Sequence, residues 1–178
     1  FKNYLESKTK LFKQANLCIL NKDDKHFNYI KRKCNKNIIT YGTNKKCDYY
    51  FYNINEYRDK TTFKLKVNNK IYNITSPLIG KFNVYNLVSG IATLNCFNLN
   101  ITSIINNIKK IKQVPGRLQK IDFKQNYDIV LDYAHTSNAT YEVLKLFNKI
   151  KKGNIITRLD DNLFEKGDFQ QLLDINDL

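Results

Sequence analysis

Apolar positions in the first part of the chain follow a helical period interrupted by short apolar runs. Residues 1–14 carry apolar side chains at helical spacing, which predicts an amphipathic helix. The apolar runs at 15–20 and 38–41 end in polar residues or glycine and predict buried strands. A second helix is expected over residues 25–33. Helices that alternate with strands are typical of an α/β fold.

The pattern then changes to a period of two. Within residues 48–77, aromatic or β-branched residues alternate with polar ones, which predicts a small antiparallel meander. Asn68 and Asn69 separate two of these runs and suit a hairpin turn. Apolar stripes at helical spacing return over residues 83–97 and 101–112 and predict two further helices.

A break after these helices is the predicted domain boundary. The segment Gln113–Gly116 cannot continue a helix, so residues 1–113 and 114–178 are expected to form separate domains. Beyond the break the pattern predicts strands over residues 118–123, 128–133 and 155–157, and a helix over residues 138–150. Asn138 is the expected N-cap of that helix. This alternation indicates an α/β domain with a mainly parallel sheet.

Composition and charge narrow the classes of partner. Of the 178 residues, 42% are hydrophobic and only 2 are proline, which favours a folded core over a disordered chain. The formal charge of +14 would suit a polyanionic partner. Because the lysines are scattered among Asn, Ile and Tyr, compositional bias is the favoured explanation, and a basic nucleic-acid-binding module is the alternative.

Cysteine usage and hydropathy bear on the compartment. Cys18, Cys34, Cys47 and Cys96 form no zinc-ligand spacing with the two histidines. The sequence has no apolar run of about 18 residues and does not open with a secretory signal. Reduced thiols, a cytoplasmic location and no membrane partner are therefore expected.

One segment combines an apolar strand with polar groups at its end. Residues 129–131 are followed by Asp132, and His135 comes just before a predicted helix. Ligands of open α/β sheets bind at the carboxyl ends of strands. A carboxylate there can hold sugar hydroxyls, and an imidazole can contact phosphate or base. Turn formation is an equally acceptable reason for polar residues at this place.

Four segments, spread over residues 1–150, resemble the Mur ligases, and in particular those of the MurE type. They are Glu6-Ser-Lys-Thr-Lys-Leu-Phe with the later Asn21-Lys-Asp-Asp, Ser76-Pro-Leu-Ile-Gly-Lys-Phe-Asn-Val-Tyr-Asn-Leu, Val114-Pro-Gly-Arg, and Asp132-Tyr-Ala-His-Thr. One short motif is weak, whereas four in the family's order are specific. The resemblance implies the latter part of a central ATPase domain, with parallel strands and an antiparallel meander, followed by a partial Rossmann-like C-terminal domain.

The resemblance also implies an activity. Enzymes of this type are ATP-dependent ligases that add the third amino acid, L-lysine or meso-diaminopimelate, to UDP-N-acetylmuramoyl-L-alanyl-D-glutamate through an acyl-phosphate intermediate. ATP and Mg²⁺ are the implied cofactors, and a monomer without a nucleic-acid partner is expected. Cyanophycin synthetase-like and folylpolyglutamate synthetase-like ligases are alternatives within the superfamily, and a non-catalytic relic is a further one.

Site residues follow from the matching motif positions. Asn83 and Asn86 would face adenine, because a carboxamide offers both a donor and an acceptor to a base edge; helix capping is the alternative for both. Arg117 would contact a nucleotide phosphate through its planar fork. By the same resemblance, Asp132 would hold the ribose and His135 would lie near it.

Lys8 has the most specific implied role. The lysine at this motif position in the family carries a carbamate formed from CO2, which turns a cation into an anion. The carbamate of Lys8 would help to hold a second Mg²⁺ beside the acyl phosphate.

Two segments depart from the family pattern. Gly42-Thr-Asn-Lys-Lys-Cys47 resembles a phosphate-binding loop but lacks the Gly before its Lys and the Ser or Thr after it. The true loop is therefore expected before residue 1, and this chain alone is expected to be inactive. After Thr157 the family's glycine-rich loop is absent, and Arg158–Glu165 only faintly resembles the segment that reads the incoming amino acid.

Overall fold

A computed structural model of the chain describes residues 2–34 and 36–158. The chain divides into two units between Ile111 and Lys112, two residues before the boundary expected from the sequence. The assignment of residues 1–113 and 114–178 to two domains of the Mur ligases stays a prediction. Within the described ranges, no helix has the length and hydrophobicity required to cross a membrane.

The first unit contains the predicted succession of helices and strands. Its helices are α1 (Lys2–Gln14), α2 (Phe27–Lys31), α3 (Lys81–Cys96) and α4 (Ile101–Ile108). Its strands are β1 (Leu17–Asn21), β2 (Asn37–Gly42), β3 (Tyr49–Glu56), β4 (Thr61–Val67) and β5 (Lys70–Ser76). The predicted α/β arrangement of helices, strands and meander is confirmed, with bounds that move by a few residues.

The five strands form one mixed sheet in chain order. The strand β1 pairs parallel with β2, and β2 pairs parallel with β3, whereas β3, β4 and β5 pair antiparallel. Only Tyr41 and Gly42 at the end of β2 pair with the start of β3, at Tyr49 and Tyr50. The meander therefore continues past the carboxyl end of the parallel pair. Its β4–β5 turn has positive φ at both central residues, as hairpin turns of this length require.

The core of the first unit lies between one face of the meander and helices α3 and α4. Strand positions facing this core alternate with exposed ones, and Phe51 and Leu65 are fully buried. They pack with Val84 and Val88 of α3 and with Ile108 of α4. Each such side chain contributes about 1.5–3 kcal/mol by leaving water. A second, smaller cluster consists of Cys18, Leu20 and Phe27, and Phe12 of α1 packs against it.

The second unit has two strands and one helix among its described residues: β6 (Gln119–Ile121), β7 (Ile129–Leu131) and α5 (Ser137–Ile150). The two strands pair antiparallel, so the expected parallel pairing is wrong for them. Their connection, residues 122–128, is shorter than the crossover of about a dozen residues that parallel strands need.

Two local predictions in this unit are also wrong. The N-cap of α5 is Thr136, whose Oγ1 accepts a hydrogen bond from the backbone N–H of Ala139 at 3.3 Å, and Asn138 lies inside the helix. Residues 155–157 form no strand. Ile156 is 96% exposed, since no described strand pairs with this segment. The faint motif at 158–165 lies outside the described residues beyond its first position.

Candidate functional site

One carboxylate connects the carboxyl ends of β1 and β2 to helix α3. Oδ2 of Asp23, which follows β1, accepts hydrogen bonds from the backbone N–H and the hydroxyl of Thr43, at 2.6 and 2.9 Å. The same oxygen accepts a hydrogen bond from the hydroxyl of Tyr85 on α3, at 2.8 Å. A Cβ on Gly42, which has φ +152°, would lie 2.8 Å from this oxygen. Glycine is therefore required where the loop meets Asp23.

This arrangement shows that the loop Gly42–Cys47 differs from a phosphate-binding loop. A phosphate-binding loop presents free backbone N–H groups and leads into a helix. Here the loop leads into the strand β3, and the N–H of Thr43 already binds the carboxylate of Asp23. The side chain of Cys47 is buried. The geometry therefore agrees with the sequence argument against this loop as the ATP phosphate site.

Tyr85 lies between the two asparagines on α3 and is held on several sides. Its ring packs edge-on against Phe51, with centroids 4.8 Å apart. Burial, followed by the hydrogen bond to Asp23 and the negative charge of that carboxylate, raises the pKa of Tyr85 to about 12. The phenol therefore stays protonated at neutral pH and remains a hydrogen-bond donor to Asp23. This contact fixes the first turns of α3 relative to the strand ends.

The first two turns of α3 contain both predicted adenine contacts, and neither asparagine caps the helix. The N-cap is Gly80, with φ +96°, and it makes no side-chain cap bond. Nδ2 of Asn83 donates to the carbonyl of Ile79 at 2.8 Å, and Nδ2 of Asn86 donates to Oδ1 of Asn83 at 3.3 Å. The capping alternative is therefore wrong. Asn86 is exposed, and its carbonyl oxygen can face a ligand.

Asn86 also borders an apolar recess between α3 and α4. The recess has a volume of about 370 Å³, and leucine and isoleucine side chains of both helices form most of its wall. Gly90 lies on its rim, and a Cβ there would meet no atom within 4 Å. A polar carboxamide beside an apolar wall is the combination that small-molecule sites commonly use.

In the second unit, two predicted site residues meet around one exposed tyrosine. The guanidinium of Arg117 lies over the ring of Tyr133, 5.0 Å from its centroid. The imidazole of His135 lies 5.2 Å from the same ring, and its Nδ1 is 3.1 Å from the carbonyl oxygen of Tyr133. Tyr133 is 62% exposed. This tyrosine is therefore a shared platform for Arg117 and His135.

Asp132 joins this group to the turn that carries Arg117. Its Oδ2 accepts a hydrogen bond from the backbone N–H of Leu118 at 2.8 Å, and its Oδ1 accepts one from Ala134 at 2.8 Å. Gly116, with φ +67°, allows the sharp turn before Arg117. A carboxylate has about four acceptor positions, so Asp132 can hold this turn and still accept from a ligand hydroxyl.

Lys8 is separate from both groups along the chain. It lies on α1, is exposed, and its Nζ is 4.5 Å from the centroid of the Tyr4 ring one turn earlier. No cluster of three or more His, Cys, Asp or Glu side chains suited to a metal ion occurs in residues 2–34 and 36–158. The structure thus brings Asn83 together with Asn86, and Arg117 with Asp132 and His135.

Sequence reasoning missed the roles of Asp23, Tyr85 and Tyr133. All three stand inside recognised motifs, so their motif positions were the available signal. Asp23 and Tyr85 are 62 residues apart, and no local pattern joins them.

A sheet with parallel strands and polar side chains beyond the strand ends defines an α/β protein of the class that binds ligands at those ends. Residues 1–94 match the family described as the Mur ligase middle domain. The chain therefore belongs to the Mur ligase family.

The chain is similar in sequence and in structure to known members of this family. UDP-N-acetylmuramoyl-L-alanyl-D-glutamate–2,6-diaminopimelate ligase of Bacillus cereus is 36% identical over 137 residues, which are 77% of this chain and 28% of that protein. A solved structure of a ligase of the same name superposes with a TM-score of 0.73 at 25% identity, over 98% of this chain and 37% of that one. MurF of Thermotoga maritima, solved in complex with ADP, shares the fold at 16% identity, with a TM-score of 0.68 over 83% of this chain and 34% of that one. The chain thus spans less than two-fifths of these proteins.

Proposed function

We propose that the chain is part of an ATP-dependent ligase that adds the third amino acid to UDP-N-acetylmuramoyl-L-alanyl-D-glutamate. The observation that carries this proposal is the meeting of Arg117 from one motif with His135 from another around Tyr133, while Asp132 binds the backbone directly after Arg117. The name of the Bacillus cereus relative supports the substrate, and the ADP complex of the Thermotoga protein supports the nucleotide. The incoming amine is that of 2,6-diaminopimelate or L-lysine.

The group in the second unit fits the sugar and phosphate of a nucleotide. Arg117 offers a planar fork of N–H donors to phosphate oxygens. Because its guanidinium already stacks on Tyr133, the side chain loses less conformational entropy when it binds a ligand. Asp132 accepts from ribose hydroxyls while its backbone bonds hold the carboxylate still. His135, fixed next to Tyr133, supplies a further polar contact near the sugar.

The start of α3 fits a purine edge. Asn83 uses its own donor and acceptor within the chain and so positions Asn86. Asn86 then presents its exposed carboxamide to the base, which needs one donor and one acceptor on adjacent atoms. The Asp23–Tyr85 hydrogen bond keeps this turn in place.

The described residues alone do not fit a Mg²⁺ site, because no group of three or more His, Cys, Asp or Glu side chains among them could hold a metal ion. For Lys8 we propose only the covalent modification. The neutral amine forms a bond between Nζ and the carbon of CO2, and one proton leaves to water.

The parent enzyme is proposed to work in the cytoplasm as a monomer, and this chain alone is proposed not to turn over ATP. The sequence contains no Gly-x-x-x-x-Gly-Lys-Ser/Thr loop, which cradles the phosphates in nucleotide-hydrolysing enzymes of this type.

Nucleotide binding to the chain tests the proposal. Fluorescently labelled ADP is titrated with the chain, and binding is followed by anisotropy. Losing a charge-assisted contact at Arg117 should weaken binding by about tenfold or more, and losing a neutral hydrogen bond at Asn86 by about fivefold, so Arg117→Ala and Asn86→Ala should both bind less tightly. Arg32→Ala and Asn106→Ala are matched controls, because these side chains are also exposed on or beside helices.

The expected result is loss of affinity in the two site variants and wild-type affinity in the two controls. Absence of labelled ADP binding at millimolar concentration, or equal losses in site and control variants, would remove the basis for the nucleotide assignment.

Carbamylation of Lys8 is tested separately by carbon NMR in ¹³C-bicarbonate. The wild-type chain should give a carbamate signal that disappears in Lys8→Arg. Lys10→Arg is the control, since Lys10 is exposed on the same helix. A carbamate signal that persists in Lys8→Arg, or none in the wild type, contradicts the proposal.

A further inference from the structure

The solvent-facing side of the meander carries tyrosines and lysines in register. Across β3 and β4, Tyr50 lies opposite Lys66 and Tyr52 lies opposite Lys64. The neighbouring positions on β5 extend both rows. We call this set the tyrosine–lysine face: Tyr50, Tyr52, Lys64, Lys66, Ile71 and Asn73. Its side chains lie on the opposite side of the sheet from the core, because successive residues of a strand point to opposite faces.

Two half-buried aromatic rings lie on this face beside exposed cations and an exposed apolar side chain. The rings of Tyr50 and Tyr52 are stacked, with centroids 4.8 Å apart and planes 10° from parallel. Lys64 and Lys66 are exposed, and Ile71 beside Lys66 is 55% exposed. Directly opposite residues have Cβ atoms about 5 Å apart, so each lysine lies within reach of a tyrosine.

The positive charge of the face has no counter-charge within β4 and β5. These strands contain no acidic residue. The acidic residue of β3, Glu56, stands at the end of its strand, where it accepts a hydrogen bond from the backbone N–H of Lys81 at 2.7 Å. At the β3–β4 connection, Lys60 lies 5.7 Å from the ring centroid of the exposed Tyr57. The same pairing of aromatic ring and cation therefore continues to that end of the meander.

We propose that the tyrosine–lysine face binds single-stranded nucleic acid, with its lysines on phosphates and its tyrosine rings against bases. Single strands are held by basic surfaces with aromatic rings for unstacked bases, whereas the bases of a duplex are already stacked on one another. The sequence favoured no such partner because its lysines are scattered. In the folded chain these lysines are grouped, because the two-residue period of a strand places Lys64 and Lys66 on one face. This binding goes beyond the proposed ligase activity.

The experiment separates this face from the overall charge of +14. Anisotropy of a labelled oligothymidine of about 12 nucleotides is measured against the chain over a range of salt. The variant Lys64→Gln/Lys66→Gln removes two charges from the face. Lys109→Gln/Lys110→Gln removes two exposed charges beside α4 and is the matched control. Removing two phosphate contacts should lower the slope of log affinity against log salt by about 1.4, in the first variant alone.

A second pair of variants tests stacking. Tyr50→Leu/Tyr52→Leu keeps apolar side chains but removes the rings, and affinity should fall by about tenfold or more. Tyr50→Phe/Tyr52→Phe keeps the rings and should bind like the wild type. Circular dichroism of each variant, with an unchanged spectrum, checks that the sheet is intact.

Three results would overturn the proposal. One is absence of binding at about 0.15 M salt, near the physiological ionic strength. Another is an equal loss of slope in the two lysine variants, which would assign binding to net charge. The third is competition by duplex DNA or heparin as strong as that by unlabelled oligothymidine, which would leave no role for the tyrosine rings.

Discussion

Replacement of Asp23 by alanine should destabilise the first unit measurably, although this side chain is exposed. Three hydrogen bonds end on its Oδ2, two from Thr43 and one from Tyr85. Water can replace the carboxylate at the exposed Thr43. The hydroxyl of Tyr85 loses its charged acceptor, and a hydrogen bond to a charged group contributes about 1.5–3 kcal/mol. We therefore expect a loss of about 2 kcal/mol in the free energy of unfolding, or roughly 10 °C in Tm.

Urea denaturation followed by circular dichroism measures this change, and a double-mutant cycle with Gly42→Ala tests its cause. Alanine at residue 42 would place a Cβ 2.8 Å from Oδ2 of Asp23. In the Asp23→Ala background that contact is gone, so the double variant should lose less stability than the sum of the single losses. Asp23→Asn, which keeps an acceptor without the charge, should lie between wild type and alanine. Additive losses, or Asp23→Ala as stable as the wild type, would refute the reasoning.

Further expectations concern pH, the core and a helix cap. The folded-state pKa of Tyr85 is about 12 against an ordinary 10.0, so its contribution to stability is complete below pH 10 and is lost as pH rises towards 12. Between pH 10 and 12 the urea midpoint of Tyr85→Phe should therefore fall less steeply than that of the wild type. Leu65→Ala, at a fully buried position, should cost about 2–5 kcal/mol in urea denaturation, whereas Ile71→Ala, at a 55% exposed one, should change stability by less than about 0.5 kcal/mol. Thr136→Ala removes the acceptor for the N–H of Ala139 and should cost about 1 kcal/mol, seen as a lower thermal midpoint.

Local sequence patterns predicted the helices and strands of the first unit well, because these patterns determine which residues form each element and which face of it is buried. The alternation around Phe63 and Leu65 fixes which face of β4 is buried. Asn68 and Asn69 tolerate the positive φ that a tight hairpin needs, and both adopt it. In such segments the intrinsic preference and the tertiary structure agree, so the sequence pattern is sufficient.

The predictions failed where a distant partner or a competing neighbour decides the structure. Residues 155–157 have a strand-like composition, but a strand also needs a partner to pair with, and none of the described segments supplies one. Thr136 and Asn138 are both acceptable caps, and the choice depends on where the turn after Tyr133 ends. The contact between Asp23 and Tyr85 depends on the position of α3 over the sheet, which local periodicity does not encode.

These contacts also change how motif residues should be interpreted. Asp132 accepts backbone hydrogen bonds with both of its oxygens, so an alanine there would disturb the turn that carries Arg117 as well as any ligand contact. Loss of nucleotide binding in such a variant could not be assigned to the ribose. Arg117 and Asn86 lack this ambiguity, because both are exposed and neither side chain has a described hydrogen bond that holds another element in place. The chemistry of the motifs is therefore best separated from their structural role at these two positions.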